Sequence, residues 1–328
     1  MSKLLSICIP TWNRSKILDE ALSYLLPQVE EFNDYIEVII SDNCSLDETK
    51  NVIEKFKNHY SSLEICDFYQ TENTGFFGNF KKCKELAKGT YIWLLSDDDF
   101  VRKGVLRLIM AKLSFRTDDI AILYLNKPTK TFNFRGEAKY VETSLLKLFK
   151  IYNYQLTLIS SSIFRNIKDN DQFIFDKFNG SHLIGFALLV DVIRYGEKAI
   201  ILNGDFLKYR MAIVKGYNIF DAFVFDIFKI YRYMLDIGYQ EVIIKKIKYN
   251  LIKYTWAKRY FILKATGHLD GELETYNLVT VDRIFKLHFC DTLGYWLYIY
   301  PIKIVPSYLL KLFLPFVIRI RNFMKMNA

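Results

Sequence analysis

The run Tyr91-Ile-Trp-Leu-Leu95 and the residues that follow it, Ser96-Asp97-Asp98-Asp99, carry most of the information about the fold of this chain. A short apolar and aromatic run is typical of a buried strand. Three adjacent carboxylates at its end repel one another and require a counter-charge. A divalent cation is the usual one, because Mg²⁺ and Mn²⁺ prefer oxygen ligands. The alternative is a solvated acidic turn that caps a helix beginning near Lys103.

On either side of this run, short apolar strands alternate with amphipathic helices over residues 1–125. The predicted strands are Leu4–Ile9, which Pro10 ends, and then Ile36–Ile40, Leu63–Tyr69, Tyr91–Leu95 and Ile120–Leu125. The predicted helices are Ser15–Leu26, with Pro27 just past its end, Asp47–Asn58, Phe76–Lys88 and Lys103–Phe115. This alternation predicts an α/β fold with a mostly parallel sheet, in which ligands bind beyond the carboxyl ends of the strands.

Polar residues follow three of these strands at their carboxyl ends. Pro10-Thr-Trp-Asn-Arg14 follows the first strand, Ser41-Asp-Asn-Cys-Ser45 the second, and the three Asp residues the fourth. For Asp42 the alternative interpretation is a turn or N-cap residue before the second helix. Three glycines of this region form no dinucleotide or P-loop motif, and turn positions would explain them equally well: Gly75, Gly78 and Gly89.

Taken together, four motifs in this region resemble the inverting family-2 glycosyltransferases of the GT-A fold. They occur in the family's order over residues 4–100: Ser6–Arg14, Ile39–Thr49, Asn73-Thr-Gly75 with Asn79 and Ala87–Tyr91, and Ser96–Asp99 at the place of the family's D-x-D motif. The form with Asn73-Thr-Gly75-Phe76 and with Ser96 before three Asp residues is most similar to abequosyltransferase-type O-antigen enzymes.

The resemblance implies a GT-A-like, Rossmann-like domain over residues 1–217, with a nucleotide-sugar half at about 1–125 and an acceptor half at about 126–217. It implies a nucleoside diphosphate sugar as donor and Mn²⁺ or Mg²⁺ as cofactor. The residues that it assigns to the donor are Pro10, Thr11, Asn13, Arg14, Asp42, Asn73, Gly75, Asn79, Asp97 and Asp98. In the D-x-D pattern Asp97 and Asp99 are the metal ligands. Which carboxylate binds the metal stays open, because Asp97 can also contact the ribose and Asp98 can replace Asp99.

Weaker similarity continues to about residue 211, through Leu183–Tyr195 and the pair Tyr209-Arg210. Family members commonly have Glu-Asp just before this helix, with the Asp as catalytic base, whereas this sequence has Ser181-His182. His182 is the first candidate base, since an unperturbed imidazole titrates near 6.5. Asp176 is the alternative.

The C-terminal region is helical in pattern, aromatic and basic. The net charge of +9 arises after residue 242, because residues 1–242 carry 31 basic and 31 acidic groups, whereas 243–328 carry 14 and 5. From Thr292 onward there are five basic residues and no acidic one. This pattern predicts that residues 218–328 associate with an anionic membrane surface. The alternative is a helical appendage with solvated lysines, and no nucleic-acid module accompanies the charge.

The expected function is inverting, metal-dependent transfer of a sugar to a lipid-linked oligosaccharide in cell-surface polysaccharide biosynthesis, by a peripheral protein at the cytoplasmic face of the inner membrane. The chain shows no signal-peptide pattern, and its five cysteines lack a C-x-x-C spacing, which favours a reducing compartment. Two alternatives are a nucleotidyltransferase, which would need a Gly-rich loop after the first strand, and a catalytically inactive, membrane-bound assembly subunit.

Overall fold

The structure is a computed structural model that describes residues 3–114, 120–127, 140–196, 198–209, 220–267 and 278–326. The chain forms two compact units, Met1–Leu148 with Leu156–Tyr217, and Phe149–Gln155 with Asn218–Ala328. The first unit is an α/β unit and the second is helical. The division into nucleotide-sugar and acceptor halves stays a prediction.

A mixed eight-stranded sheet forms the centre of the first unit. Its order is β3-β2-β1-β4-β8-β6-β9-β7, and β10 and β5 form a separate antiparallel pair. The strands are β1 Leu5–Thr11, β2 Ile36–Asp42, β3 Ile65–Tyr69, β4 Tyr91–Leu94, β5 Asp99–Val101, β6 Ile120–Asn126, β7 Tyr140–Ser144, β8 Ser162–Arg165, β9 Lys198–Asn203 and β10 Leu207–Tyr209. The neighbours β3, β2, β1 and β4 run parallel, which confirms the predicted α/β fold and brings the carboxyl ends of β1, β2 and β4 to one edge.

Helices follow the strands as the alternation predicts. In the first unit they are α1 Ser15–Val29, α2 Thr49–His59, α3 Gly75–Leu86, α4 Val105–Leu113, α5 Leu145–Tyr152, α6 Asp171–Lys177 and α7 Ile184–Asp191, with α5 running on into the second unit's segment. In the second unit they are α8 Ile227–Asp236, α9 Glu241–Leu251, α10 Ala257–Thr266, α11 Leu278–Phe289, α12 Tyr300–Ile304 and α13 Ser307–Met326. Three π-helical turns adjoin these helices, at Asp221–Asp226, Ile252–Trp256 and Tyr295–Ile299.

Two prolines do not end their elements as the sequence predicts. Pro10 lies inside β1, where the pairing with β4 already stops at Cys8, so the missing N–H of Pro10 interrupts no bond on that side. Pro27 lies inside α1, because the apolar positions continue past it to Val29 and hold the last turn against the core. The tertiary context thus overrides the local preference of proline, through the pairing pattern at Pro10 and through burial of the last turn at Pro27.

The second unit has an aromatic core of its own. Trp256 is buried and meets the rings of Phe220 and Phe285 edge to face, with centroids 5.4 Å apart in both pairs. Phe285 also stacks on Phe289 at 5.3 Å. The high aromatic content of the sequence therefore has a structural use in this unit.

Among the described residues, no single helix has the length and hydropathy needed to cross a membrane. The segments Tyr295–Ile304 and Ser307–Phe316 meet those criteria only as a pair, and the pair is bent by 116°.

A buried polar cluster holds the amino ends of the central strands together. The hydroxyl of Ser6 donates to Glu37 at 2.6 Å, and the amide of Gly89 donates to the Ser6 hydroxyl at 2.8 Å. A Cβ added at Gly89 would lie 2.6 Å from the backbone nitrogen of Ser6, so only glycine fits this close approach.

We expect Gly89→Ala to lower the free energy of unfolding by about 1–3 kcal/mol, because the chain entering β4 must move away from β1. Chemical denaturation would measure the loss. Lys88→Ala is the matched control, since it keeps the backbone amide and removes only an exposed ion pair with Glu64. Equal stability of Gly89→Ala and Lys88→Ala would contradict the close approach.

Candidate active site

Asp97 and Asp98 lie between β4 and β5, and Asp99 is the first residue of β5, at the carboxyl edge of the sheet. Asp97 is buried, its Oδ2 accepts a hydrogen bond from the Thr11 hydroxyl at 2.8 Å, and its Oδ1 accepts one from Arg14 at 2.7 Å. Arg14 also donates to Asp98 at 3.1 Å. The expected counter-charge is therefore present in the chain itself, as a guanidinium that bridges two of the three carboxylates.

Burial governs the protonation of this cluster. It raises the pKa of Asp97 above its ordinary value, although Arg14 and Thr11 act in the opposite direction. Burial also raises the pKa of Asp99 to about 6, with the charges of Asp98 and Asp97 adding to the effect and a hydrogen bond with Ser160 opposing it. One guanidinium thus leaves the cluster with an excess of negative charge.

Asp42 ends β2 and is buried. Its Oδ1 accepts hydrogen bonds from the Ser45 amide at 3.2 Å and from the Ser45 hydroxyl, and burial raises its pKa against these bonds. Both hydrogen bonds that the structure describes for this carboxylate go to Oδ1. Asp42 is therefore a hydrogen-bond acceptor whose Oδ1 is used in the described contacts. It lies at the same sheet edge as Asp97, because Thr11 pairs with Asp42 in the β1–β2 register and donates to Asp97.

The loops after β1 and β2 are tied to each other. The amide of Asn13 donates to the Ser45 hydroxyl at 2.7 Å, and the amide of Leu46 donates to the side chain of Asn13 at 2.7 Å. Asn13 and Cys44 adopt left-handed backbone conformations, with φ of 50° and 61°. Such conformations persist in non-glycine residues only where the surrounding contacts enforce them, and they concentrate at functional sites.

A second network joins β2 to the start of α3. The side chain of Asn43 donates to Asn73 at 2.7 Å and to the Gly75 carbonyl at 3.2 Å. Asn79 donates to the carbonyls of Thr11 and Ser41, at 3.2 and 2.9 Å, which links α3 to both strands. The predicted donor residues Asn73, Gly75 and Asn79 therefore lie beside the same strand ends as Asp42.

The two candidate bases are Asp176 and His182. Asp176 is exposed on α6 and accepts a hydrogen bond from Gln172 of the same helix at 2.9 Å. His182 is half-buried in the turn before α7, next to the buried Ser181. Their catalytic roles stay predictions. Arg210, of the family's Tyr-Arg pair, lies outside the described residues, whereas Tyr209 pairs with Asp99 between β10 and β5.

Ser160 belongs to the site but was not predicted from the sequence. Its hydroxyl accepts a hydrogen bond from the Ser96 amide at 2.9 Å, and its carbonyl accepts one from the Trp93 indole at 2.9 Å. Together with its hydrogen bond to Asp99, these contacts position the acidic turn. No local pattern marks Ser160, because it approaches from a segment more than 60 residues downstream. Asn43, which was also missed, could have been found because it directly follows Asp42.

Carboxylate oxygens are the ligands that Mn²⁺ and Mg²⁺ prefer, so the chemistry of Asp97 and Asp99 fits such an ion. In the described part of the chain, however, no group of three His, Cys, Asp or Glu side chains is arranged to hold a metal. Arg14 occupies oxygens of both Asp97 and Asp98. Metal binding stays a prediction, and it requires a cation to compete with this guanidinium.

The strand order, the helices and the acidic edge together define a fold of the GT-A type. The solved structure of Staphylococcus aureus TarS residues 1–349 with UDP has this fold, with a TM-score of 0.59 and 17% identity over 81% of this chain and 76% of that chain. The model of the family "Glycosyl transferase family 2" matches residues 6–175, so the chain belongs to that family. The resemblance seen in the sequence is thereby confirmed.

Two curated relatives show the range of the family near this chain. Abequosyltransferase RfbV of Salmonella typhimurium is 37% identical over 115 residues, which are 35% of this chain and 34% of that protein. The GalNAc(5)-diNAcBac-PP-undecaprenol beta-1,3-glucosyltransferase of Campylobacter jejuni is 26% identical over 216 residues, 63% of this chain and 64% of that protein. The match thus spans about a third of RfbV and just under two thirds of the Campylobacter protein.

The raised pKa of Asp99 predicts a specific pH dependence of stability. An unfolded Asp titrates near 3.9, so between about pH 4 and 6 the unfolded chain loses this proton while the folded chain keeps it. The contribution to stability is therefore full below that window and falls as pH rises through it. We expect Asp99→Asn, which cannot ionise, to gain melting temperature relative to wild type as pH increases from about 4 to 7.

Differential scanning calorimetry at both pH values would measure this gain. Asp34→Asn, at an exposed position, is the control and should show no such trend. A constant difference between Asp99→Asn and wild type across the window would show that Asp99 titrates like an unfolded carboxyl.

Proposed function

We propose that the protein is an inverting, metal-dependent glycosyltransferase that moves a sugar from a nucleoside diphosphate sugar to a lipid-linked glycan in cell-surface polysaccharide biosynthesis. The observation that carries the proposal is the joined edge of β2, β1 and β4, where Asp42 ends β2 and the Arg14–Asp97–Asp98 cluster directly follows β1 and β4. Membership in family 2 supports this interpretation of that edge.

The nucleotide half of the donor would bind along this edge. Asp42 would accept a hydrogen bond from the base or ribose through Oδ2, and Asp97 or Asp98 would contact the ribose. Pro10 and Thr11 end β1 beside them, and Asn13 lies in the loop that follows. The solved complexes of TarS contain UDP and UDP-GlcNAc, which supports a nucleotide sugar as the class of donor.

The acidic turn would hold the cofactor, with Asp99 and Asp97 as the ligands. When bound, a Mn²⁺ or Mg²⁺ ion neutralises charge on the diphosphate leaving group. Arg14 would hold the carboxylates in place before the donor arrives, because it already bridges Asp97 and Asp98. Ser160 and Ser96 would keep the turn in position through the backbone.

The acceptor hydroxyl would attack the anomeric carbon from the face opposite to the diphosphate, which inverts that carbon. His182 or Asp176 would remove the proton, and a positioned general base contributes roughly 10²–10⁴-fold in rate. The Campylobacter relative is named for an undecaprenol-linked glycan, which supports a lipid-linked acceptor. Such an acceptor would place the reaction at the cytoplasmic face of the membrane, with the protein bound peripherally.

The two alternatives have less support. A nucleotidyltransferase would need a Gly-rich, basic loop after β1 to bind a triphosphate, and Pro10–Arg14 contains no glycine. An inactive assembly subunit would have no need of the donor residues, and Asp42 and all three Asp residues of the turn are present.

The donor assignment predicts that Asp42→Ala weakens nucleotide binding by about ten- to hundredfold while melting temperature changes little, because a hydrogen bond to a charged group is lost in the complex. A thermal-shift screen of UDP, GDP, CDP and dTDP, with and without Mn²⁺, would first identify the nucleotide. Isothermal titration calorimetry would then measure its affinity.

Asp47→Ala is the matched control for Asp42→Ala. Asp47 accepts hydrogen bonds from the amides of Ser15 and Thr49, at 2.9 and 3.1 Å, at the start of two helices. Its loss should lower stability by about 1 kcal/mol and leave affinity nearly unchanged. If Asp42→Ala instead behaves like Asp47→Ala, Asp42 is a turn residue and the donor assignment fails.

The metal assignment predicts that transfer requires Mn²⁺ or Mg²⁺ and that Asp99→Asn abolishes it with the fold intact. A radiolabelled-sugar transfer assay, with circular dichroism on the same samples, would measure both. Comparison of His182→Ala with Asp176→Asn in that assay identifies the base. Activity near wild type in both Asp99→Asn and Asp98→Asn would overturn the D-x-D assignment.

A further inference from the structure

The last described helices of the second unit expose many large apolar side chains. We call the two segments Tyr295–Ile304 and Ser307–Phe316 the platform. Its exposed apolar residues are Trp296, Leu297, Tyr300, Ile304, Tyr308, Leu309, Leu312, Phe313 and Phe316. Exposed apolar side chains at this density mark an interaction surface rather than ordinary solvent-facing surface.

The platform presents one face to the rest of its unit and another outward. Tyr295, Ile299 and Leu310 are buried, and α13 packs against α10. The exposed positions recur at the four-residue spacing of a helix face, as in Tyr308, Leu312 and Phe316. The outward face is therefore a regular feature of both segments and not a frayed end.

A half-buried cation lies at the bend between the two segments. The ammonium of Lys264 donates to the carbonyls of Ile302, at 2.9 Å, and of Lys303, which belong to the last turn before the break at Pro306. Lys303 in turn lies 3.6 Å from Asp282. The carbonyls at a helix end have no backbone partner, and lipid offers them none. Lys264 satisfies two of them from within the protein and so supports the bend.

We propose that the platform is a monotopic lipid-binding surface, which lies in the headgroup and upper acyl layer of an anionic leaflet and does not cross it. The inference rests on the membrane association in the proposed function and names the surface responsible. No single described helix meets the length and hydropathy criteria for crossing, and a bend of 116° separates Tyr295–Ile304 from Ser307–Phe316, the first half of α13. The bend prevents the two from joining into one span.

The charge of the platform favours an anionic lipid surface over a second copy of this chain as its binding partner. The platform contains two cations, Lys303 and Lys311, and no acidic residue, so two such surfaces facing each other would repel. An anionic leaflet would attract both the cations and the amphipathic rings of Trp296, Tyr300 and Tyr308.

An apolar groove adjoins the first segment of the platform. It has a volume of about 350 Å³, and Leu297, Pro301 and Ile302 of the platform line it together with Phe261 and Lys258 of α10. A concave apolar surface with a lysine in its wall suits an acyl chain below a phosphate headgroup.

Vesicle co-sedimentation of the full-length protein tests the platform. Leu312→Asn and Leu287→Asn make a matched pair, because the two leucines are 72% and 73% exposed and only Leu312 lies on the platform. With vesicles of phosphatidylcholine and phosphatidylglycerol, we expect Leu312→Asn to lower partitioning about tenfold and Leu287→Asn to leave it unchanged. Equal partitioning of the two variants would overturn the proposal.

One more variant and a lipid-free measurement distinguish lipid binding from self-association. Lys311→Gln should reduce binding to anionic vesicles and leave binding to pure phosphatidylcholine vesicles as in wild type. If sedimentation velocity without lipid shows a dimer that Leu312→Asn dissociates, the face is a self-association surface and the lipid proposal fails. Nucleotide affinity of Leu312→Asn should equal that of wild type. A protein that binds vesicles but no nucleotide would retain the platform and lose the proposed function.

Discussion

The burial of the Asp97 carboxylate is the constraint on which the site depends. A buried ion is costly unless charged and polar partners compensate for the lost water, and removal of one partner typically costs about 3–5 kcal/mol. Thr11 and Arg14, both at the end of β1, supply these partners for a residue at the end of β4. The electrostatic requirement of one side chain therefore fixes the relative position of two strand ends.

The backbone is strained in the loops next to these strand ends. Asn13 and Cys44 hold left-handed conformations in loops that Ser45 and Leu46 cross-link. Each such conformation costs of order 1–3 kcal/mol, and it persists because the packing of the surrounding sheet offsets this free energy. The strands β1, β2 and β4 are buried along their whole length, so the sheet provides the rigidity and the loops carry the polar groups.

The parallel half of the sheet was predictable because its strands are continuous apolar runs separated by amphipathic helices, and Asp42 and Asp97–Asp99 were found because they stand directly after such runs. The short strands β5 and β10 were not predicted, since three residues form no pattern that differs from a loop. Ser160 was missed for a different reason: its contact with the acidic turn is long-range, and no local pattern encodes it. The bend at Pro306 has a local signal, but the cation that supports it, Lys264, does not.

The pKa of Asp99 connects the electrostatics of the turn to the proposed chemistry. Three carboxylates face one guanidinium, and burial together with the neighbouring charges raises the pKa of Asp99 to about 6. The same excess of negative charge that favours a proton on Asp99 also favours a divalent cation. A ligand of this kind must release its proton before it can coordinate a metal, so metal affinity and pH are linked at this residue. Arg14 would then act as a resident counter-ion that keeps the turn folded without fully neutralising it, and the remaining charge would support the proposed metal site.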